Sequence, residues 1–201
     1  LYYQGYNDLS VNNIKQAIKT LDLRGPDNNN YYEINKTKHM GFARLSINDI
    51  SSNGDQPLIK NNDYFLICNG EIYNHKELKK TNDFITQSNS DCEIIIHMYE
   101  KYGIEHTVQS LDGVFAFVLY DKILDKTYVA RDPYGVRPLF IGQTSSNEIL
   151  LCSEIKPIAK YCKHINPFQI GSYYELPNNL HNSLENNLDN FLDNINYIKY
   201  H

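Results

Sequence analysis

Arginine is scarce in this sequence, and no stretch of it is strongly basic. Only four of the 19 basic residues are arginine, and the excess of acidic residues gives a formal net charge of −5. The 15 lysines are scattered and form no stripe that could follow a phosphate backbone, which argues against nucleic-acid binding. The 201 residues suit one ordinary globular domain with its own core.

The sequence also lacks a long apolar run. The longest, residues 113–120, has the length of a strand, whereas a membrane-spanning helix needs about 20 apolar residues. The amino-terminal residues have no basic start and soon turn polar, unlike a secretory signal peptide. We therefore expect no membrane partner and a cytoplasmic location.

Cysteines are few, and their spacing fits no metal-binding or redox motif. The four of them form no CxxC pair and no zinc-finger pattern: Cys68, Cys92, Cys152 and Cys162. Three lie in apolar stretches, which is typical of buried thiols in a reducing cytosol. We expect no metal site.

Apolar periodicity predicts both helices and strands. A first helix, capped by Asp8 or Ser10, carries an apolar face made of Val11, Ile14, Ile18 and Leu21. A second helix begins at Ser90 or Asp91 and reaches Gly103, and residues 104–111 continue as helix. Strands are expected over residues 39–47, 64–68, 114–121, 127–132, 138–143 and 148–154. Because residues 114–120 are apolar on both faces, they belong in the middle of a covered sheet, which favours a layered α+β domain.

The composition changes near the end of the chain. Residues 178–201 are rich in asparagine, and their spaced leucines hint at a helix. We therefore predict a domain over residues 1–177, followed by a linker or docking segment over 178–201.

The strongest local signal is the stretch CNGEIYNH, which begins at Cys68. In its ordinary interpretation Asn69 and Gly70 form a strand-to-helix turn, because glycine accepts a positive φ and Asn-Gly is a common turn dipeptide. In its functional interpretation the Asn69 side-chain amide and the Gly70 N–H are two fixed donors for a developing oxyanion.

Two charged residues also have both a structural and a functional interpretation. Arg44 lies in an apolar predicted strand, where its guanidinium needs a partner, either a structural carboxylate or the carboxylate of a substrate. Asp91 opens a helix, where it either caps free N–H groups or receives a substrate ammonium group. The residues alone favour the cap.

Several motifs occur in an order that resembles one family. They are RGPD, FARLSINDIS, QPL, CNGEIYNHKEL, SDCEIIIHMYEKYGIE, LDGVFAFVLYD, ARDPYGVRPLF and LLCSEIK. Between about residues 24 and 156 they resemble the glutaminase domain of glutamine-hydrolysing asparagine synthetases. The segments RLSI and NGEIYNH resemble that family more than they resemble two related families, the amidophosphoribosyltransferases and the glucosamine-forming amidotransferases.

This resemblance implies a class II glutamine amidotransferase of the N-terminal nucleophile hydrolase type. The implied fold is an α+β four-layer αββα sandwich with two antiparallel sheets. Arg44 would pair with the glutamine α-carboxylate, Asp91 would bind its α-ammonium, and Glu71 would assist. The site would be lined by the backbone of Leu45, Ser46, Ile47 and Asn48. Asn69 and Gly70 would form the oxyanion hole.

The family mechanism implies an N-terminal cysteine whose thiolate attacks the glutamine side-chain amide and forms a thioester, which is hydrolysed once ammonia has left. Residue 1 is Leu and the first cysteine is Cys68, so we expect the opening residues with the nucleophile to be missing. No SGG-type phosphate loop is present, so ATP and Mg²⁺ are expected only in a separate synthetase domain, a ligase of asparagine biosynthesis. This domain itself needs no cofactor.

Three functions remain open from the sequence. In the first, the chain is the glutaminase domain of an asparagine synthetase and binds L-glutamine. In the second, it is an inactive glutamine-binding or interaction module, and in the third it serves another ammonia acceptor. A homodimer is compatible with all three.

Overall fold

The computed structural model describes residues 1–6, 9–45, 52–178 and 188–201. These residues form two compact units, each built on one six-stranded antiparallel sheet. The first unit takes in Leu1–Leu45, Pro138–Phe168 and Pro177–Asn196, and the second takes in Ser46–Arg137, Gln169–Leu176 and Tyr197–His201. This confirms the α+β class with two antiparallel sheets.

In chain order the strands are β1 (Tyr2–Gln4), β2 (Asn28–Asn35), β3 (Lys38–Arg44), β4 (Leu58–Lys60), β5 (Tyr64–Ile72), β6 (Gly113–Asp121), β7 (Lys126–Arg131), β8 (Phe140–Gln143), β9 (Ile149–Cys152), β10 (His164–Pro167), β11 (Ser172–Leu176) and β12 (Ile198–Lys199). The α-helices are α1 (Val11–Lys19), α2 (His75–Thr81) and α3 (Ile94–Ser110). Short 3₁₀ helices cover Ser52–Gly54, Asp91–Glu93 and Leu188–Asn194. Among the described helices, none is long and apolar enough to cross a membrane.

The first sheet has the order β10-β8-β9-β1-β3-β2, and α1 packs on it. Ser10 caps α1, because its Oγ accepts the Asn13 N–H at 3.2 Å. Of the apolar face predicted for this helix, Ile14 and Ile18 are buried, and so is Leu21 just after its end, whereas Val11 is exposed. Ile18 reaches the strand at Gly41, where a Cβ would lie 2.1 Å from Ile18 Cδ1. The first predicted helix is therefore confirmed with Ser10 as its cap, whereas Asp8 lies outside the described residues.

The second sheet has the order β12-β11-β7-β6-β5-β4. Its central strand β6 is buried on both faces along most of its length, as its apolar sequence predicts. Helix α3 contributes Ile95, Met98 and Val108 to the core over this sheet, and it kinks at Gly103, where φ is +78°. The predicted helix to Gly103 and its continuation over residues 104–111 are thus one kinked element.

The structure moves several predicted strand ends, and two of these lie beside candidate site residues. Strand β3 ends at Arg44 rather than residue 47, and residues 46–51 lie outside the described residues. Strand β5 runs four residues beyond the predicted end, to Ile72, because β6 pairs with it along its whole length. Asn69 and Gly70 consequently lie inside a strand and not in a strand-to-helix turn.

The predicted domain boundary at residue 177 stays a prediction, but the described part of the Asn-rich segment is folded. In the first unit, Phe191 and Leu192 of its 3₁₀ helix are buried. In the second unit, Ile198 pairs with Tyr173, which adds β12 to the sheet edge.

Candidate functional site

The site centres on the last third of β5, where a buried strand opens to solvent. Residues 64–68 are buried, whereas Asn69, Gly70 and Glu71 are partly exposed. Across the ladder, Asn69 faces Ala116 and Gly70 faces Phe115. The strand therefore presents three consecutive predicted site residues on a rigid element.

Gly70 is required for close approach and not for a positive φ. A Cβ at this position would lie 2.2 Å from the Val114 carbonyl oxygen and 2.7 Å from Phe115 Cα. Phe115 O accepts the Asp132 N–H, so the Phe115 backbone groups point away from β5 and the Gly70–Phe115 pair is non-hydrogen-bonded, the closer kind of pair. The expectation of a left-handed turn glycine was wrong, because pairing with β6 keeps this segment extended.

The edge of β5 opposite β6 is covered by β4 only as far as Leu66. Beyond it, side chains bond the backbone instead. The buried Gln56 amide accepts the Cys68 N–H at 2.6 Å and donates to the Cys68 carbonyl at 2.9 Å. Farther along, Asp91 Oδ2 accepts the Ile72 N–H at 2.6 Å, and His75 Nδ1 lies 2.7 Å from the Ile72 carbonyl oxygen.

Strand alternation places the Gly70 N–H on this same edge, between the bonded Cys68 and Ile72 amides. The Gly70 carbonyl lies 3.7 Å from the Cys92 Sγ, which confirms the direction. None of the described residues supplies an acceptor for the Gly70 N–H. A strand edge with one donor available between two satisfied ones can receive a single anionic oxygen.

Asp91 comes from a different element but reaches the same edge. It is 5% exposed and begins the 3₁₀ turn before α3. Ser90, at the cap position, makes no side-chain capping bond, while the Asp91 carboxylate reaches across to Ile72. The structure thus brings Asp91 together with residues 69–71 in the second unit.

The cysteines near the site are not suited to act as nucleophiles. The neighbouring Cys68 thiol and burial raise the pKa of Cys92 well above its usual range, so this thiol stays protonated. Cys68 is also buried and precedes Asn69 in the strand. Within the described residues no group of three or more His, Cys, Asp or Glu side chains is placed to hold a metal ion.

A rigid turn after β7 places a second arginine beside the site. The fully buried Asp132 carboxylate accepts the N–H groups of Tyr134, Val136 and Arg137 at 2.9–3.0 Å. Arg131 donates from Nε to the Arg137 carbonyl at 2.8 Å and from Nη2 to the Gly135 carbonyl at 3.0 Å.

This turn directs Arg137 towards the predicted recognition residue Glu71. Arg137 Nη2 lies 4.0 Å from Glu71 Oε1, and both side chains are about one-third exposed. Its Nε is buried and has no partner among the described residues. No local sequence pattern indicates that Arg137 lies near Glu71, since the two are far apart along the chain.

The remaining predicted residues lie in the first unit or outside the described chain. Arg44 ends β3 and is 7% exposed, and its carbonyl accepts the Asp27 N–H at 3.0 Å. Gly25 has no side chain, and this lets the chain around it lie against β3. A Cβ added at Gly25 would lie 2.5 Å from the Arg44 backbone nitrogen. Leu45 is exposed. Ser46, Ile47 and Asn48 lie outside the described residues.

Comparison with known proteins identifies the class. Residues 3–197 match the family described as the glutamine amidotransferase domain, and the chain belongs to that family. Two solved structures share its fold. The glutamine phosphoribosylpyrophosphate amidotransferase from B. subtilis has a TM-score of 0.59 at 24% identity over 69% of this chain and 32% of its own. The allosteric regulatory enzyme of purine biosynthesis has a TM-score of 0.58 at 25% identity, and the match covers 69% of this chain and 33% of that enzyme's chain.

Curated relatives narrow the class further. The asparagine synthetase [glutamine-hydrolyzing] of Mesocricetus auratus is 44% identical over 149 residues, which is 72% of this chain and 26% of the relative. The probable asparagine synthetase [glutamine-hydrolyzing] of Acanthamoeba polyphaga mimivirus is 39% identical over 160 residues, 76% and 29% respectively. The family resemblance read from the motifs is confirmed, and the chain spans about a quarter of the length of these relatives.

Proposed function

We propose that this chain is the part of a glutamine-hydrolysing asparagine synthetase that binds L-glutamine and releases ammonia from it. The observation that carries the proposal is the strand edge at Gly70. There a backbone N–H without an acceptor among the described residues lies between amides bonded by Gln56 and Asp91. A negative charge that develops on the amide oxygen of glutamine would be stabilised at this point.

The proposed roles follow the chemistry of each group. Asn69 and Gly70 donate to the oxyanion, Asp91 receives the α-ammonium group, and Arg44 pairs with the α-carboxylate. Glu71 assists recognition, while Arg137 neutralises Glu71 and keeps it in place. The backbone of residues 45–48 lines the substrate.

The partner in this proposal is a synthetase domain, as the names of the relatives imply. It would take up the ammonia and join it to an aspartate that ATP has activated. The nucleophile would be an amino-terminal cysteine. The four cysteines of this chain are all free, in keeping with a reducing compartment such as the cytoplasm.

The test is calorimetric titration of the chain with L-glutamine. Arg44→Ala is expected to weaken binding by about 10- to 100-fold, because a charge-assisted hydrogen bond contributes about 1.5–3 kcal/mol. Arg24→Ala is the matched control, since Arg24 forms a partly exposed ion pair with Glu154 at 3.2 Å. Binding that is unchanged in Arg44→Ala would refute the carboxylate assignment.

Activity requires a second experiment. A chain extended before Leu1 by Cys-Gly-Ile, with the cysteine at its amino terminus, is expected to release glutamate from glutamine. The same extension with serine in place of cysteine serves as the control. If the cysteine version bound glutamine and released no glutamate, the proposed hydrolysis would be excluded.

A further inference from the structure

A buried carboxylate lies two residues after Asp91. Glu93 is 6% exposed and ends the 3₁₀ turn that Asp91 begins. Its Oε1 accepts the Gln87 N–H at 2.7 Å, and its Oε2 accepts both the N–H and the hydroxyl of Ser88, at 2.7 and 2.5 Å. Burial alone would raise the pKa of Glu93, but hydrogen bonds from His97, Ser88 and Gln87 outweigh it and lower the pKa to about 2.

These bonds do not serve the helix that Glu93 precedes. Glu93 occupies the cap position of α3 and makes no side-chain capping bond there. It reaches backwards instead and closes the chain from residue 87 to 93 into a ring. Inside this ring the Ser90 N–H donates to Ser88 Oγ at 3.2 Å. The backbone just before Asp91 is therefore fixed from two sides.

The same carboxylate is anchored to the sheet through His97. His97 Nε2 lies 3.3 Å from Glu93 Oε1, and its Nδ1 lies 3.1 Å from Lys60 Nζ on β4. A lysine ammonium has only donors, so Nδ1 accepts and the ring proton is on Nε2, where it donates to Glu93. His97 also packs against Phe84, with ring centroids 5.3 Å apart and the ring planes tilted by 32°.

We infer that Glu93 is a positioning residue for the ammonium-binding carboxylate. It holds the 87–93 ring against β4 through His97, and this ring places Asp91 where its Oδ2 reaches Ile72 and the carboxylate lies at the Gly70 edge. Loss of the charge on Glu93 would loosen Asp91 without touching the oxyanion donors. The inference rests on the proposed function, because it assigns Asp91 to the glutamine ammonium group.

The experiment compares two ligands by calorimetry on the chain. One is L-glutamine and the other is glutaramate, which has the same amide and carboxylate but no α-ammonium group. Glu93→Gln is expected to weaken glutamine binding by about tenfold, because the Asp91 charge is displaced from the ammonium group. The affinity for glutaramate should change by less than about twofold. Such a change corresponds to a free-energy difference well below that of one charge-assisted hydrogen bond.

A double-mutant cycle separates positioning from general damage. In the Asp91→Asn background, Glu93→Gln should cause no further loss of glutamine affinity, because the group it positions is gone. Tyr99→Phe is the stability control. It removes a buried 2.8 Å bond to Asp121 from the same helix, so it should lower Tm and leave both affinities unchanged.

Two results would overturn the inference: equal losses for both ligands, or additive effects of the Glu93 and Asp91 substitutions. If Glu93→Gln does not fold, Ser88→Ala is the second variant. It removes the hydroxyl bond to Glu93 and the bond from the Ser90 N–H but keeps the Glu93 charge and both backbone bonds to it, so it should shift glutamine affinity in the same direction by a smaller factor. No shift in that variant also counts against the inference. If the unsubstituted chain gave no binding heat with glutamine, the proposed function itself would be refuted. This outcome differs from failure of the inference, in which the unsubstituted chain binds glutamine and the variants do not behave as expected.

Discussion

Substituting alanine for Gly70 tests whether close strand approach shapes the site. The added Cβ would lie 2.2 Å from the Val114 oxygen and 2.7 Å from Phe115 Cα, and both are backbone atoms that cannot swing aside. Strands β5 and β6 would have to separate at the Gly70–Phe115 pair. Overpacking of this kind costs about 1–3 kcal/mol. In a chain of this size each kcal/mol lowers Tm by about 2–4 °C.

Urea unfolding followed by tyrosine fluorescence is a suitable assay, because the chain has 17 tyrosines and no tryptophan. Gly103→Ala is a control matched in stability. Its Cβ would meet no atom within 4 Å, but its φ of +78° makes alanine strained, at a cost of about 1–3 kcal/mol. Both variants should be destabilised, and only Gly70→Ala should lose glutamine affinity. A Gly70→Ala chain as stable as its parent would refute the reasoning.

Two further predictions concern charged groups. The depressed pKa of Glu93, about 2 against an ordinary 4.5, means that its ionised form stabilises the fold, so stability present above pH 4.5 should be lost as pH falls towards 2. Urea midpoints across this pH range should show the loss, and Glu93→Gln should flatten the profile. Arg131→Lys should cost about 1–2 kcal/mol, because one ammonium cannot replace two divergent guanidinium bonds. By contrast, Arg24→Lys should change the free energy of unfolding by less than about 0.5 kcal/mol, because its ion pair is partly exposed. A similar loss in both arginine variants would contradict this account.

Local sequence signals predicted the elements whose pattern is self-contained. The apolar stripe of α1 and the doubly apolar β6 both needed only their own residues to be recognised. The dipeptide Asn69–Gly70 misled, because its turn preference is local while its conformation is decided by pairing with Phe115 and Ala116. The register of β5 against β6 pairs residues that are 45 positions apart in the chain, so it cannot be predicted from a local pattern.

The site residues show the same division. The motifs predicted Arg44, Glu71 and Asp91 as site residues. They did not predict that the Asp91 carboxylate accepts a hydrogen bond from the Ile72 N–H. Gln56 was quoted only as part of a motif, although its amide satisfies both backbone groups of Cys68. Its role depends on an approach between distant segments, and a single polar residue before a proline gives no signal of it.

Two of the four arginines differ in how far they depend on the geometry of the guanidinium group. Arg131 makes two bonds that a lysine could not reproduce, because they diverge from one planar guanidinium. Arg24 forms a partly exposed ion pair, for which a lysine would serve as well. The scarcity of arginine in the composition does not by itself separate these two cases.

The side chains that line the outer edge of β5 have a consequence for solubility. An extended strand with unpaired amides and carbonyls is a template on which a foreign strand can add, and this is a common route to aggregation. In the described part of the chain, Gln56, Cys92, Asp91 and His75 occupy the edge that β4 leaves uncovered. They occupy the positions to which another peptide would have to bond, so they block its addition. The edge is thereby protected against strand addition although β4 leaves it uncovered.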